Sequence, residues 1–199
     1  MLQLQVNSQA VKKICDDLEK QLRFAAALAL TNTAKDAQEE VRRQLPQRFT
    51  IRTGWVAKGI HVRAADKNTL QTSVRVFDPF MMLQESGGDK LSPFGDSLGV
   101  PVGARPTPTS VTRPGSFPGA LLQKKGFFIA PIAKGSPVKV VWKRTGTGRR
   151  QRMTLMYIFA RQVHLKPRFG FRDTVRRVAV EGFPRRFAEA LRRALASAR

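Results

Sequence analysis

The chain has 199 residues, 36 Lys and Arg against 14 Asp and Glu, and a hydrophobic fraction of 42%. That composition excludes wholesale disorder, the single cysteine (Cys15) excludes a disulfide scaffold, and the length suits one domain spanning 1–199. Cys15, His61 and His164 are too few and too scattered for a closed zinc site, and the longest apolar run, at 24–30, falls far short of the ~18 residues of a membrane span, so neither a metal, a cofactor nor a membrane is expected.

The N-terminal segment MLQLQVNSQAVKKICDD lacks the basic-then-apolar order of a secretory signal, and the lone cysteine fits a reducing compartment, which points to a protein made and kept inside a cell or inside something assembled there. Residues 2–6 alternate apolar and polar and predict a short strand, with Asn7 or Ser8 capping the helix that follows. Val11, Ile14, Leu18, Leu22, Ala25 and Ala29 recur at spacings of three and four, one face of a helix. Helix-forming sequence continues to Leu45, where Pro46 is expected to stop it. Thr31-Asn32-Thr33 is a weak stretch, so the segment reads as two helices bent near 22–32 or as one bent helix. Asp36, Glu39, Glu40, Arg42 and Arg43 read as a solvated outer face.

Residues 59–64 and 69–77 alternate and predict two strands joined by a turn at 65–68, with His61 on the polar face. Residues 79–85 suit a short helix or a strand. The stretch 87–119 holds seven glycines and six prolines, which excludes a continuous helix or a central strand and leaves room for one brief strand at 98–102. The rest reads as a long loop too poor in apolar side chains to order itself, one that is functional, disordered or ordered by a neighbour; in the last case Arg105, Pro106, Arg113, Pro114 and Phe117 are the expected subunit-contact residues.

Strands are predicted again at 127–132 and 138–142, followed by a Gly- and Arg-rich hairpin tip at 145–150 and an apolar strand at 153–159 that should be buried on both faces. The run from Lys166 to Phe171 reads as a structural junction. Pro167 sets an extended entry, Gly170 permits a tight turn, and Phe169 and Phe171 pin the closing helix to the sheet. Residues 172–198 predict that helix, with Pro184 breaking or kinking it near Gly182. The expected fold is α+β: an N-terminal helical region, a mainly antiparallel sheet of four to seven strands with a long Gly/Pro-rich loop, and a C-terminal amphipathic helix packed on the sheet.

The charge is uneven. Residues 1–96 carry 14 basic and 11 acidic side chains, whereas 97–199 carry 22 basic and 3 acidic, with no carboxylate between Asp96 and Asp173. Such a surface repels itself and calls for an anionic partner, nucleic acid or an acidic protein. The candidate contacts are Lys124, Lys125, Lys139, Lys143, Arg144, Arg149, Arg150 and Arg152, plus the arginines of the last helix. On paired strands Lys139 and Lys143 share a face, as do Arg150 and Arg152. The tip at 145–150 joins two strands and lacks GxxxxGK[ST], so it is a basic turn and not a phosphate loop. Adjacent pairs such as Asp16-Asp17 diverge on a helix, and no G-x-S-x-G or HExxH is present, so no catalysis is expected. Neither a helix-turn-helix nor an aromatic stacking platform is legible, which leaves non-specific phosphate contact as the one nucleic-acid mode.

Several segments, in order and spacing, resemble the phage and prophage minor tail protein Z family. They are FAAALALTNTAKDAQEEVRRQLPQRFTIRTGWVAKGIHV (24–62), LQESGG (83–88), LGVPV (98–102), PGALLQKKGFFIAP (118–131) and VHLKPRFGFRDTV (163–175). The resemblance spans nearly the whole chain and rests on structural motifs, so it brings no active site. It implies a virion protein assembled in the host cytoplasm that completes the tail and connects it to the head. Its expected partners are copies of itself in a ring, with a hexamer among the open symmetries, and other neck and tail proteins: portal, adaptor or stopper, tail terminator or tube. Non-specific contact with genomic DNA is a further expectation. The alternatives are a tail terminator that caps tube growth and a free non-specific DNA-binding protein.

Overall fold

The computed structural model describes residues 8–51, 53–92, 97–107 and 110–197, so the strand expected at 2–6 and a cap at Asn7 lie outside the described residues. The protein is α+β, and its paired strands are antiparallel. Where the length suggested one domain, the chain divides into two compact units, one formed by 1–49, 53–81 and 169–199, the other by 50–52 and 82–168.

The first unit is built on α1 (Ser8–Arg48) and α5 (Phe171–Ser197), which run antiparallel, with α2 (Trp55–Lys58), the hairpin β1 (Ile60–Arg63) and β2 (Ser73–Val76), and the start of α3 (Pro79–Ser86). α1 is one helix of 41 residues. The Thr31-Asn32-Thr33 stretch does not divide it, because Ala25, Ala29, Ala34, Ala37, Val41 and Leu45 are buried along one face and packing outweighs propensity. Pro46 does not stop it either. The ring removes only the hydrogen bond to the Arg42 carbonyl, and the Phe49 N–H donates to the Leu45 carbonyl at 2.9 Å to close the final turn. Pro184 likewise sits inside α5, which continues to Ser197.

Ala25 and Ala29 meet Ala190 and Ala194, with Phe183, Phe187 and Leu191 packed beside them. Further along, Arg186 makes a two-pronged ion pair with Asp36, both contacts 2.7 Å, which holds the guanidinium protonated above its ordinary range. Arg177 reaches Glu40 at 3.2 Å. Arg42 donates to the carbonyls of Ala57 and Ile60, both at 2.9 Å. The acidic and basic cluster at 36–43 is therefore the seam of this unit and not the solvated face expected of it; of the five residues, Glu39 and Arg43 are the exposed ones. α5 packs chiefly along α1, and only its beginning, Phe171 and Val175, joins the hairpin around the core of Val41, Leu45, Ile60, Met81 and Phe169. N-terminal to Ala25, α1 runs past the end of α5: every described side chain from Gln9 to Lys20 is exposed, and so are Leu22 and Phe24.

The hairpin pairs Ile60 with Val76 and Arg63 with Ser73, so its strands are four residues each and shorter than expected. The Asp66 carboxylate explains the difference. It accepts from the Asn68 and Thr69 N–H groups at 2.8 and 2.9 Å and from the Thr69 hydroxyl at 2.5 Å, winding 66–70 into a turn that carries Leu70 to φ 50°.

The second unit holds a four-stranded sheet in the order β4 (Leu98–Pro101), β7 (Arg152–Ala160), β6 (Lys139–Thr145), β5 (Phe127–Pro131), and a two-stranded sheet of β3 (Gly88–Leu91) with β8 (Gln162–Leu165). Among the described residues the one sheet expected is thus three. Register steps from Val141↔Tyr157 to Trp142↔Leu155, so Met156 is an extra residue in β7. This bulge lets consecutive Met156 and Tyr157 both enter the core with Leu121 and Val141. Burial of β7 is confined to that region, and 152–154 are exposed, which corrects the strand buried on both faces.

The stretch 87–119 is largely built into this unit. It contributes β3, β4, a 3-10 turn at Pro114–Ser116 and the start of α4 (Pro118–Leu122). The buried Tyr157 hydroxyl donates to the Ser116 carbonyl at 2.7 Å, and Arg105 Nε donates to the hydroxyl of buried Thr112 at 2.9 Å. A loop unable to order itself was expected. Instead its described parts are held by the chain's own second unit, through the β3 and β4 pairings and hydrogen bonds such as those of Tyr157 and Arg105.

Candidate functional site

The basic residues collect at one end of the four-stranded sheet. β6 turns into β7 through Gly146 (φ 80°) and Gly148 (φ 56°), conformations that Gly adopts without strain. A 3-10 turn, Gly148–Arg150, carries Arg149 and Arg150, and Arg152 opens β7 opposite Thr145. On the neighbouring strand the Gly126 carbonyl accepts from Arg144 N–H at 2.7 Å, which brings Lys124 and Lys125 to the same end. Lys143 pairs with Phe127, and its ammonium lies 5.8 Å from that ring's centroid; the Arg144 guanidinium lies 5.0 Å from the centre of Phe128. Being consecutive on a strand, Lys143 and Arg144 point to opposite faces, so both sides of the ribbon carry positive charge.

Lys139 shares a face with Lys143 but sits about 13 Å away along β6, opposite Pro131. Arg150 belongs to the turn, so strand alternation does not put it on the face of Arg152; both are simply exposed. Lys124 is already engaged, donating to the Gly115 carbonyl at 2.7 Å. Among the described residues none of these eight cations pairs with a carboxylate. The described carboxylates of this unit are Glu85 and Asp89, and Asp89 faces His164 at 2.9 Å. The arginines of α5 do not belong to this group. They lie in the first unit, where Arg177 and Arg186 are met by α1 carboxylates.

Of the expected subunit-contact residues, Arg105 is half-buried on Thr112, while Pro106, Arg113, Pro114 and Phe117 are exposed, Phe117 to 46%. The run 166–171 marks the passage from the second unit to the first, between Arg168 and Phe169. Pro167 lies against Gly87 (φ 71°), where a Cβ would strike the Leu165 carbonyl and the Pro167 ring. Phe169 is buried, edge-on to Phe49 and stacked on Phe171 at 5.5 Å. Its carbonyl accepts from Arg48 Nη1, and Gly170 (φ 58°) leaves the space that this guanidinium occupies.

Sequence reasoning missed an exposed aromatic group on the first unit, where Trp55 stacks on Phe80 at 5.5 Å and Phe77 meets His61 edge-on at 5.2 Å. The signal was available: Phe77 follows Arg75 on the polar face of its strand, the side that alternation assigns to solvent. No family model, curated protein or solved structure matches the chain.

Proposed function

We propose that the chain is a structural, non-catalytic component of a tailed-phage virion that completes the tail and connects it to the head, acting as one copy in a ring with other neck and tail proteins. The observation that carries the reading is the cationic end of the four-stranded sheet, which holds Lys125, Lys143, Arg144, Arg149, Arg150 and Arg152 without a carboxylate partner among the described residues. A ring position supplies what that surface lacks, either the phosphates of DNA in a central channel or the acidic side chains of an adjoining ring. The resemblance to the minor tail protein Z family supplies the setting.

Imaging of particles produced from the genome that encodes the chain tests the proposal. Density for the chain is expected at the head-proximal end of the tail; density elsewhere in the particle, or none, overturns it. Salt dependence separates the two kinds of partner. If the hairpin meets DNA, affinity for duplex falls with salt at a log–log slope of about −0.9 per neutralised phosphate, and replacing Arg149, Arg150 and Arg152 by Gln flattens the slope by roughly two to three. If the native chain shows no affinity for duplex at low salt, the cations serve an acidic protein neighbour. Sequence-independent DNA binding by a chain missing from the particle would favour the alternative of a free DNA-binding protein.

A further inference from the structure

The outward face of the β1–β2 hairpin mixes rings with cations. Ile60, Val62, Val74 and Val76 alternate toward the core side, so the opposite face carries His61, Arg63, Arg75 and Phe77, all exposed. Arg75 is the register partner of His61, and the His61 ring meets Phe77 edge-on at 5.2 Å. At the base of the hairpin the Phe77 N–H donates to the Gly59 carbonyl at 3.3 Å, and the Gly59 N–H donates to the Trp55 carbonyl at 2.9 Å. These bonds seat α2, with Trp55 and Lys58, against the end of β2 and the start of α3, where Phe80 stacks on Trp55 at 5.5 Å. Trp55 stays 57% exposed and Phe77 65%. Among the described residues Lys58, Arg63 and Arg75 pair with no carboxylate. The acids nearest in the chain do not serve them: Asp66 is bonded to Asn68 and Thr69 within its own turn, and Asp78 is buried.

We infer that this surface binds single-stranded nucleic acid, its exposed rings stacking on unpaired bases while Lys58, Arg63 and Arg75 meet the phosphates. A strand that presents flat π-faces along an anionic backbone matches both halves of the patch, and single-strand binding rests on the same two elements. Duplex keeps its base faces inside the stack and offers the rings nothing. An apolar protein partner would have to strip water from three cations that it could not pair. The sequence does not show this platform because it is assembled from a four-residue helix, a strand end and the start of a further helix. The patch belongs to the first unit and shares no residue with the cationic sheet end, so it stands or falls separately from the proposed tail role.

The test uses the full chain with Trp142→Phe, which leaves Trp55 as the sole tryptophan. Titration with an oligothymidylate of about 12 nucleotides, within the site sizes of single-strand binders, should change Trp55 emission saturably. An abasic oligomer of the same length offers the same phosphates without rings to stack and should bind at least about tenfold more weakly. Phe77→Ala should weaken the oligothymidylate by about fivefold to a hundredfold, the worth of one stacked base, and circular dichroism checks that this variant is folded. Arg75→Gln should flatten the log–log salt slope by about 0.7, one phosphate on a single strand. Replacing Arg149, Arg150 and Arg152 by Gln should leave the Trp55 response in place. No saturable change in Trp55 emission, equal affinity for the abasic oligomer, or an affinity untouched by a folded Phe77→Ala variant overturns the inference. Loss of the Trp55 response in the triple arginine variant also overturns it, by placing the contact at the sheet end. Trp55 emission that shifts with protein concentration alone does the same, by assigning the patch to a second copy.

Discussion

Glu40 shows how one side chain of α1 carries a pH response set largely within its own helix. Arg43 at 2.7 Å, Gln44 at 2.5 Å and Arg177 at 3.2 Å all donate to it. Chiefly through Arg43, they lower its carboxyl from 4.5 to about 2. A depressed carboxylate stabilises the fold fully above its unfolded value and loses that contribution as pH falls through the folded one. The stability difference between native chain and Glu40→Gln should therefore be constant above about pH 5 and shrink between about pH 4.5 and 2, as read from urea unfolding at each pH. Phe169 carries a larger burden. It is buried against Val41, Leu45, Ile60 and Met81, whereas Phe171 is half-buried, so Phe169→Ala should cost about 3–5 kcal/mol and Phe171→Ala clearly less. Gly170→Ala should also destabilise, because φ 58° disfavours a Cβ and the Arg48 guanidinium fills the space.

Between elements, the alanine seam sets how closely α1 and α5 approach. Replacing Ala190, which is 2% exposed, with Leu should overpack the seam and cost about 1–3 kcal/mol, measured by thermal or denaturant unfolding. Much of this level was legible. Helical periodicity located α1 and α5, alternation located the β1–β2 hairpin, and short apolar runs located β5, β6 and β7, because burying a face or a whole strand leaves a pattern in the sequence. What failed was whatever depends on a distant partner. The Asp36–Arg186 pair joins residues 150 positions apart, and without it Asp36 looks like any solvated carboxylate. β8 alternates exposed Gln162 and His164 with half-buried Val163 and Leu165, but four residues before Lys166-Pro167 carry too little pattern to announce a strand. The Met156 bulge leaves no mark in an apolar run, since both neighbours are apolar whichever way they face.

Across the whole chain, the two units treat their cations differently. The first pairs Arg177 and Arg186 with carboxylates across the α1–α5 seam, while the second leaves its cluster at a sheet end without such partners among the described residues. Each unit has its own buried cluster and its own tryptophan, Trp55 in one and Trp142 in the other. Single-tryptophan variants should then report separately: Phe169→Ala should lower the midpoint seen by Trp55 more than that seen by Trp142, and Tyr157→Phe, which removes the donor to Ser116, should do the reverse. The overrun of α1 has a different consequence. A helical stretch shorter than ~12–15 residues is marginal in water without tertiary packing. The described side chains of 9–20 are exposed, and the ion pairs Asp17–Lys20 and Glu19–Arg23 span a single helical turn. One continuous helix should thus contain a gradient of amide hydrogen exchange, with backbone protons trading for deuterium within a local opening before Ala25 and only on global unfolding around Val41 and Leu45. Where that gradient breaks marks the point at which α5 stops lending its partner cooperativity.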